Sequence, residues 1–178
     1  YKRQGYMEKW QQEKDACRKW MYARMLYHSG GYKAANEAYE KLYPVLRGRG
    51  AFLFEYGHSL HKSFLYGDSN KYLEEACRYS SAPMVLNVMG KNYQEQHCYE
   101  QAEKFFYRAI HRLPGRIYPY YLLANLYAEP DFYKPDKLKE AADSVLTKEP
   151  KVHSTAIDEM RSEVREILKR KDKCEITK

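Results

Sequence analysis

Four small residues punctuate this sequence at nearly constant intervals: Ala23, Gly57, Gly90 and Ala124 follow one another by 34, 33 and 34 positions. A second set keeps the same interval. Ala35, Tyr39 and Leu42 are matched 34 residues on by Ser69, Leu73 and Ala76, and these after a further 33 by Ala102, Phe106 and Ala109. A period of this length marks one supersecondary unit repeated, because so short a unit cannot bury its apolar face alone and must stack on its neighbours. Within the second set the spacing i, i+4, i+7 puts the three residues on one helix face. A small residue in the preceding segment of each unit then lets two antiparallel helices approach closely, and a ring or branched side chain opposite fills the remaining space.

The most complete unit runs from Pro83 to Arg116, where Met89, Gly90 and Tyr93 precede Ala102, Phe106, Ala109 and Pro114. That order reproduces the L-G-x2-Y…A-x3-F…P signature of a tetratricopeptide unit of about 34 residues. Pro114 stops the second helix, since proline removes an amide donor and clashes with the turn before it. The register predicts further units at about 16–48, 50–82 and 117–151. In the first, a helix without breakers from about Tyr6 to His28, with Trp10, Cys17, Trp20, Met21 and Leu26 at helical spacing, leads through Ser29-Gly30-Gly31 into a helix that Pro44 should kink or stop. In the second, a helix from Ala51 to Leu65 is expected to turn at Tyr66-Gly67-Asp68.

The fourth unit places Leu123, Ala124 and Tyr127 where Met89, Gly90 and Tyr93 stand, yet Leu138, Ala142, Val145 and Pro150 lag Ala102, Phe106, Ala109 and Pro114 by 36. Its turn, bracketed by Pro130 and Pro135, therefore holds two additional residues, an insertion that costs little at a surface. A capping helix at about 154–170 follows, opened by Ser154 or Thr155, with Thr155 and Asp158 spaced as a capping box. Its apolar face, Ile157, Met160, Val164, Ile167 and Leu168, would cover the last repeat. Residues 171–178 read as a frayed tail. The expected architecture is all-α, a tetratricopeptide-type helical-hairpin solenoid of about four repeats plus a cap, forming one domain over residues 1–170.

Tyrosine, at 19 of 178 residues, is abundant while Gly (9) and Pro (7) are sparse, which suits helices packed through amphipathic rings. The formal charge of +7 is spread among interleaved acids, apart from the start, where Lys2, Arg3, Lys9, Lys14, Arg18, Lys19 and Arg24 outnumber Glu8, Glu13 and Asp15 by four. No recognised nucleic-acid module accompanies that excess, so no nucleic-acid partner is expected. The four cysteines, Cys17, Cys77, Cys98 and Cys174, show no metal-ligand spacing and read as packing thiols. No run approaches the roughly 20 apolar residues of a membrane span. The chain starts at Tyr1, and a longer parent protein, with any membrane segment upstream, is expected.

Catalytic signatures are missing: there is no glycine-rich phosphate loop, no G-x-S-x-G and no H-E-x-x-H. His58 and His61, with His28, could hold a metal, but polar histidines of a repeat face are the simpler reading, and neither metal nor cofactor is expected. Cys98 beside His97 does not make a nucleophile pair, because adjacent residues point apart. The register itself picks out a face of the first helices, which line the concave surface of tetratricopeptide arrays. One residue after each small residue stand Arg24, His58, Lys91 and Asn125; three before it stand Trp20, Phe54, Asn87 and Tyr121; four after it stand Tyr27, His61, Gln94 and Ala128. A row of hydrogen-bond donors flanked by rings suits an extended peptide bearing carboxylates. A solvated face with inter-repeat aromatics remains the alternative.

The strings FLFEYGHSL (52–60), SSAPMVLNVMGKNYQ (80–94), LPGRIYPYYLLANLYAEP (113–130) and LTKEPKVHSTAIDEMRSEV (146–164) resemble the C-terminal tetratricopeptide region of O-antigen ligase or polymerase-like membrane proteins of Gram-negative bacteria. That family's glycan-transferring residues lie in its membrane-embedded part, so no active-site residue carries over. The resemblance implies a non-catalytic soluble appendage that recruits components of surface-polysaccharide assembly or self-associates, reaching the membrane only through an upstream region. A free-standing adaptor for a peptide or protein partner is the alternative. With a span just upstream, the basic first helix and the unpaired cysteines favour the cytoplasmic side.

Overall fold

The structure, a computed structural model, describes residues 2–79 and 82–176, with side chains placed for 4–79 and 82–171. Among the described residues the regular structure is entirely helical. Contacts divide the chain into two units, residues 1–85 and 86–178. The first contains α1 (Lys2–His28), α2 (Tyr32–Leu46), α3 (Gly50–Lys62) and α4 (Tyr66–Ala76). The second contains α5 (Pro83–Glu95) from Leu86 onward, α6 (Tyr99–Arg112), α7 (Tyr118–Ala128), a 3-10 turn (Pro130–Phe132), α8 (Pro135–Thr147) and α9 (Thr155–Ile176).

The repeated small residues sit where the register places them. A methyl group on Gly57 of α3 would stand 2.7 Å from the Leu73 side chain of α4, and one on Gly90 of α5 would stand 2.3 Å from the Phe106 ring of α6. In the fourth hairpin the corresponding places are held by Ala124 and Ala142, both buried. The paired positions thus set glycine against a ring in the third hairpin and alanine against alanine in the fourth, while the first sets Ala23 with Tyr39, both fully buried. Ala35, Tyr39, Leu42, Leu73, Ala76, Ala102, Phe106, Ala109, Leu138, Ala142 and Val145 are all buried. Pro44 lies inside α2, which continues two residues further to Leu46.

The first three hairpins turn by one device. Gly30, Phe64 and His97 all take positive φ, at 83°, 62° and 57°. The next amide then reaches back to the carbonyl five residues earlier: Gly31 N–H to Leu26 at 2.8 Å, Leu65 to Leu60 at 3.0 Å and Cys98 to Tyr93 at 2.8 Å. This is the Schellman arrangement for ending a helix. It corrects the expected turn at Tyr66-Gly67-Asp68, since these residues begin α4 and the chain reverses at Ser63–Leu65. Gly67-Asp68 resembled a turn signal, but Asp68 lies in the first helical turn, where a carboxylate is favourable. Phe64 has a Cβ in a conformation that suits glycine and is 77% exposed. Phe64→Gly is therefore expected to raise the unfolding free energy by about 0.5–1 kcal/mol, read by urea denaturation.

The fourth turn keeps the closing bond at the same register. Lys134 N–H reaches the Tyr127 carbonyl at 3.2 Å, across seven residues where the others span five. The two additional residues are absorbed by the 3-10 turn, which drives Phe132 inward to stack on Tyr99 (5.3 Å) and Tyr127 (6.3 Å). The Lys134 ammonium lies 3.7 Å from the Phe132 ring centre. The insertion is thus part of the core.

The capping helix runs to Ile176, so residues 171–176 are helical where a frayed tail was expected; 177 and 178 lie outside the described residues. Thr155 is its first residue, and the Ser154 carbonyl accepts from the Ile157 and Asp158 amides. Asp158 pairs with His153 at 3.4 Å instead of serving a capping box with Thr155. Val164 and Ile167 are buried, and Arg161 donates to the carbonyls of Val145 (3.1 Å) and Lys148 (2.7 Å), satisfying the C-terminal end of α8 with a cation. On α1, Trp10 and Met21 are exposed at 55% and 67%, so the inward side is formed by Ala16, Ala23 and their neighbours.

Candidate functional site

In the first unit, α1 and α3 carry six of the register-selected residues, two of which, Trp20 and Arg24, meet at one carboxylate. Glu55, whose side chain is only 13% exposed, accepts from Trp20 Nε1 at 2.7 Å, from Arg24 Nε at 3.0 Å and from the Tyr39 hydroxyl at 3.4 Å. Burial, and after it the neighbouring Glu55 charge, pushes the Tyr39 phenol well above its ordinary value. Arg24 is half exposed and lies 5.8 Å from the Trp20 ring centre, so its charge is shared between carboxylate and ring.

Beside this node the rings form a ladder. His58 stacks between Phe54 (5.8 Å) and His61 (5.7 Å), and His61 meets Tyr66 at 5.8 Å. The Tyr27 hydroxyl and His58 Nδ1 are 2.5 Å apart. Burial raises the Tyr27 pKa, and Tyr32 and Glu55 add to the rise. Of the residues assigned to this face, Trp20, Tyr27, Phe54 and His58 are half-buried and Arg24 is exposed, whereas His61 is buried and supports the ladder without facing solvent. His28 packs edge-on against Tyr27, and no group of three metal-ligating side chains gathers among the described residues. No disulfide joins Cys17, Cys77 or Cys98; Cys174 falls outside the described side chains.

The second unit carries the remaining residues on α5 and α7. Gln94 donates to Glu129 at 2.9 Å, and Asn125 donates to the Tyr121 carbonyl at 2.9 Å. The Tyr121 hydroxyl donates to Glu163 of α9, and burial together with that bond pushes its pKa up to about 12. Lys91 and Ala128 are half-buried on the same helices. Asn87 departs from expectation: it is buried, and its Oδ1 finds no partner among the described residues.

Arg24, His58 and Asn125, expected as available donors, are therefore engaged within their own units. The acceptors that engage the side chains of these faces, Glu55, Glu129 and Glu163, were not selected from sequence. Their signal was weak, because each stands at a different offset from its small residue: Glu55 precedes Gly57 by two, Glu129 follows Ala124 by five, and Glu163 belongs to the cap.

Close-packed hairpins, glycine or alanine at each crossing and a repeated Schellman turn define the class, an all-α fold of tetratricopeptide type. The chain is similar to the crystal structure of MamA protein, with a TM-score of 0.67 at 16% identity over 86% of this chain and 88% of that one. It is also similar to MamA 41-end from Desulfovibrio magneticus RS-1, with a TM-score of 0.63 at 16% identity over 82% and 75%. At this identity the likeness establishes the fold. Neither a protein-family model nor a curated protein sequence matches the chain.

Proposed function

We propose that this chain is a non-catalytic protein-interaction scaffold whose first helices hold an extended peptide. The observation that carries the reading is the α1 and α3 face, where half-exposed Trp20, Tyr27, Phe54 and His58 are held in place by Glu55 and by ring stacking. Rings fixed before binding lose little conformational freedom when a ligand arrives, which favours affinity. Arg24 is already paired, so in this unit ring contact and the Tyr27–His58 pair carry recognition more than a bare positive charge does. In the second unit Lys91 and Asn125 take the corresponding places.

Selection of peptides from a random library against the immobilised chain tests this. Recovered peptides should bind wild type at micromolar dissociation constants and lose about tenfold or more to His58→Glu or Lys91→Glu, a penalty of about 1.4 kcal/mol. Equal affinity for wild type and both variants would remove the helix faces from the reading.

The four family-like strings support a finer version, in which the scaffold is the soluble appendage of an O-antigen ligase-like protein on the cytoplasmic side of a bacterial inner membrane. Self-association belongs to the same version. In cells expressing the full-length protein, protease added to intact spheroplasts should leave this region uncut; rapid cleavage would overturn the cytoplasmic placement.

A further inference from the structure

Away from the helix faces, the second unit has a cavity of about 770 Å3 between the turn after α6 and the segment leading into α9. That volume falls within the range of ligand sites, roughly 300–1,000 Å3. Its inner surface is apolar: Ile117 is buried, and Ile157, Met160 and Tyr118 are partly buried beside it. Pro114 and Pro150, the residues that end two successive repeats, form part of the lining and limit its rearrangement.

Two cations belong to the same surface. Arg116 and Lys151 are exposed, make no ion pair among the described residues, and have no acid beside them in the lining. An apolar cavity with two exposed cations in its lining is complementary to an apolar group carried next to carboxylates. The rim indicates how large that occupant is. Leu113 and Val152 are 44% and 77% exposed, and apolar surface at the mouth remains wet if only a small ligand enters. A polypeptide covers the rim as well as the cavity.

We propose that this cavity is a second docking site, which receives a bulky apolar side chain of a partner protein whose flanking acidic residues meet Arg116 and Lys151. It uses none of the residues of the helix faces, so it stands or falls separately from the peptide reading above.

The test uses the full chain labelled with 15N and three probes: a blocked hexapeptide with a central Phe-Leu pair flanked by glutamates, its counterpart flanked by lysines, and laurate. The glutamate peptide should shift the amides of 113–118 and 151–160 and bind at least about tenfold more tightly than the lysine peptide. The double variant Arg116→Glu/Lys151→Glu should weaken the glutamate peptide by about tenfold or more while His58→Glu leaves it unchanged. Both altered cations are exposed, so the variant keeps its fold, which dispersion of the amide spectrum verifies. The proposal is overturned by absence of shifts at millimolar peptide, by equal binding of the two peptides, by affinity that survives the charge reversal, or by laurate binding where the glutamate peptide does not.

Discussion

Gly90→Ala is expected to change sign with its neighbour: destabilising in the wild-type chain by about 1–3 kcal/mol, and stabilising once Phe106 is alanine. In the native hairpin the new methyl would lie 2.3 Å from the Phe106 ring, which is fully buried and cannot swing aside. Alanine is the better helix former by about 1 kcal/mol, so the steric term must exceed that gain for the single substitution to destabilise. Phe106→Ala alone should cost about 3–5 kcal/mol through lost burial and the cavity left behind. With the ring gone, the methyl enters vacated space and the pair becomes the alanine–alanine combination already present at Ala124 and Ala142. Urea denaturation of the four chains measures both signs. A Gly90→Ala effect of the same sign in both backgrounds would refute the steric account.

Loss of the Glu55 carboxylate should be nearly as severe. Glu55→Ala is expected to lower the unfolding free energy by about 2–3 kcal/mol, because the half-buried Trp20 indole N–H and the buried Tyr39 hydroxyl both lose their acceptor. Arg24→Ala should cost no more than about 1 kcal/mol, since half of that side chain is already in solvent. Adding Trp20→Phe to Glu55→Ala removes the orphaned donor and should recover part of the loss. Equal costs for Glu55→Ala and Arg24→Ala would mean that the ion pair, and not the Trp20 and Tyr39 donors, makes Glu55 necessary.

Much of the fold was legible because the small residues and their partners recur at fixed distances, and steric demands at a helix crossing leave few residue types that fit. Gly57 with Leu73 and Gly90 with Phe106 sit in the structure as their spacing required. The second turn was misplaced because local chemistry pointed to Gly67-Asp68 while the register pointed to position 64, seven after Gly57 as Gly30 is seven after Ala23. Long-range packing prevailed over local preference there, and a phenylalanine accepts the left-handed backbone. The site was less legible. Residues that face one way can be read from periodicity, but what they bond to depends on which acid from a neighbouring helix arrives, as Glu55 and Glu163 do. Asn87 and His61 illustrate the same limit, for both share the selected face and both are buried.

The difference between the second and fourth turns bears on how this protein can be labelled for experiment. At Ser63–Leu65 the chain reverses with Phe64 and Leu65 exposed, so a short epitope or a fluorescent reporter inserted there would extend into solvent. The longer turn at 130–134 would look like the more permissive site to anyone choosing by length. It is the poorer choice, since splitting it would withdraw Phe132 from between Tyr99 and Tyr127, and a reporter placed there would record the damage done by its own insertion.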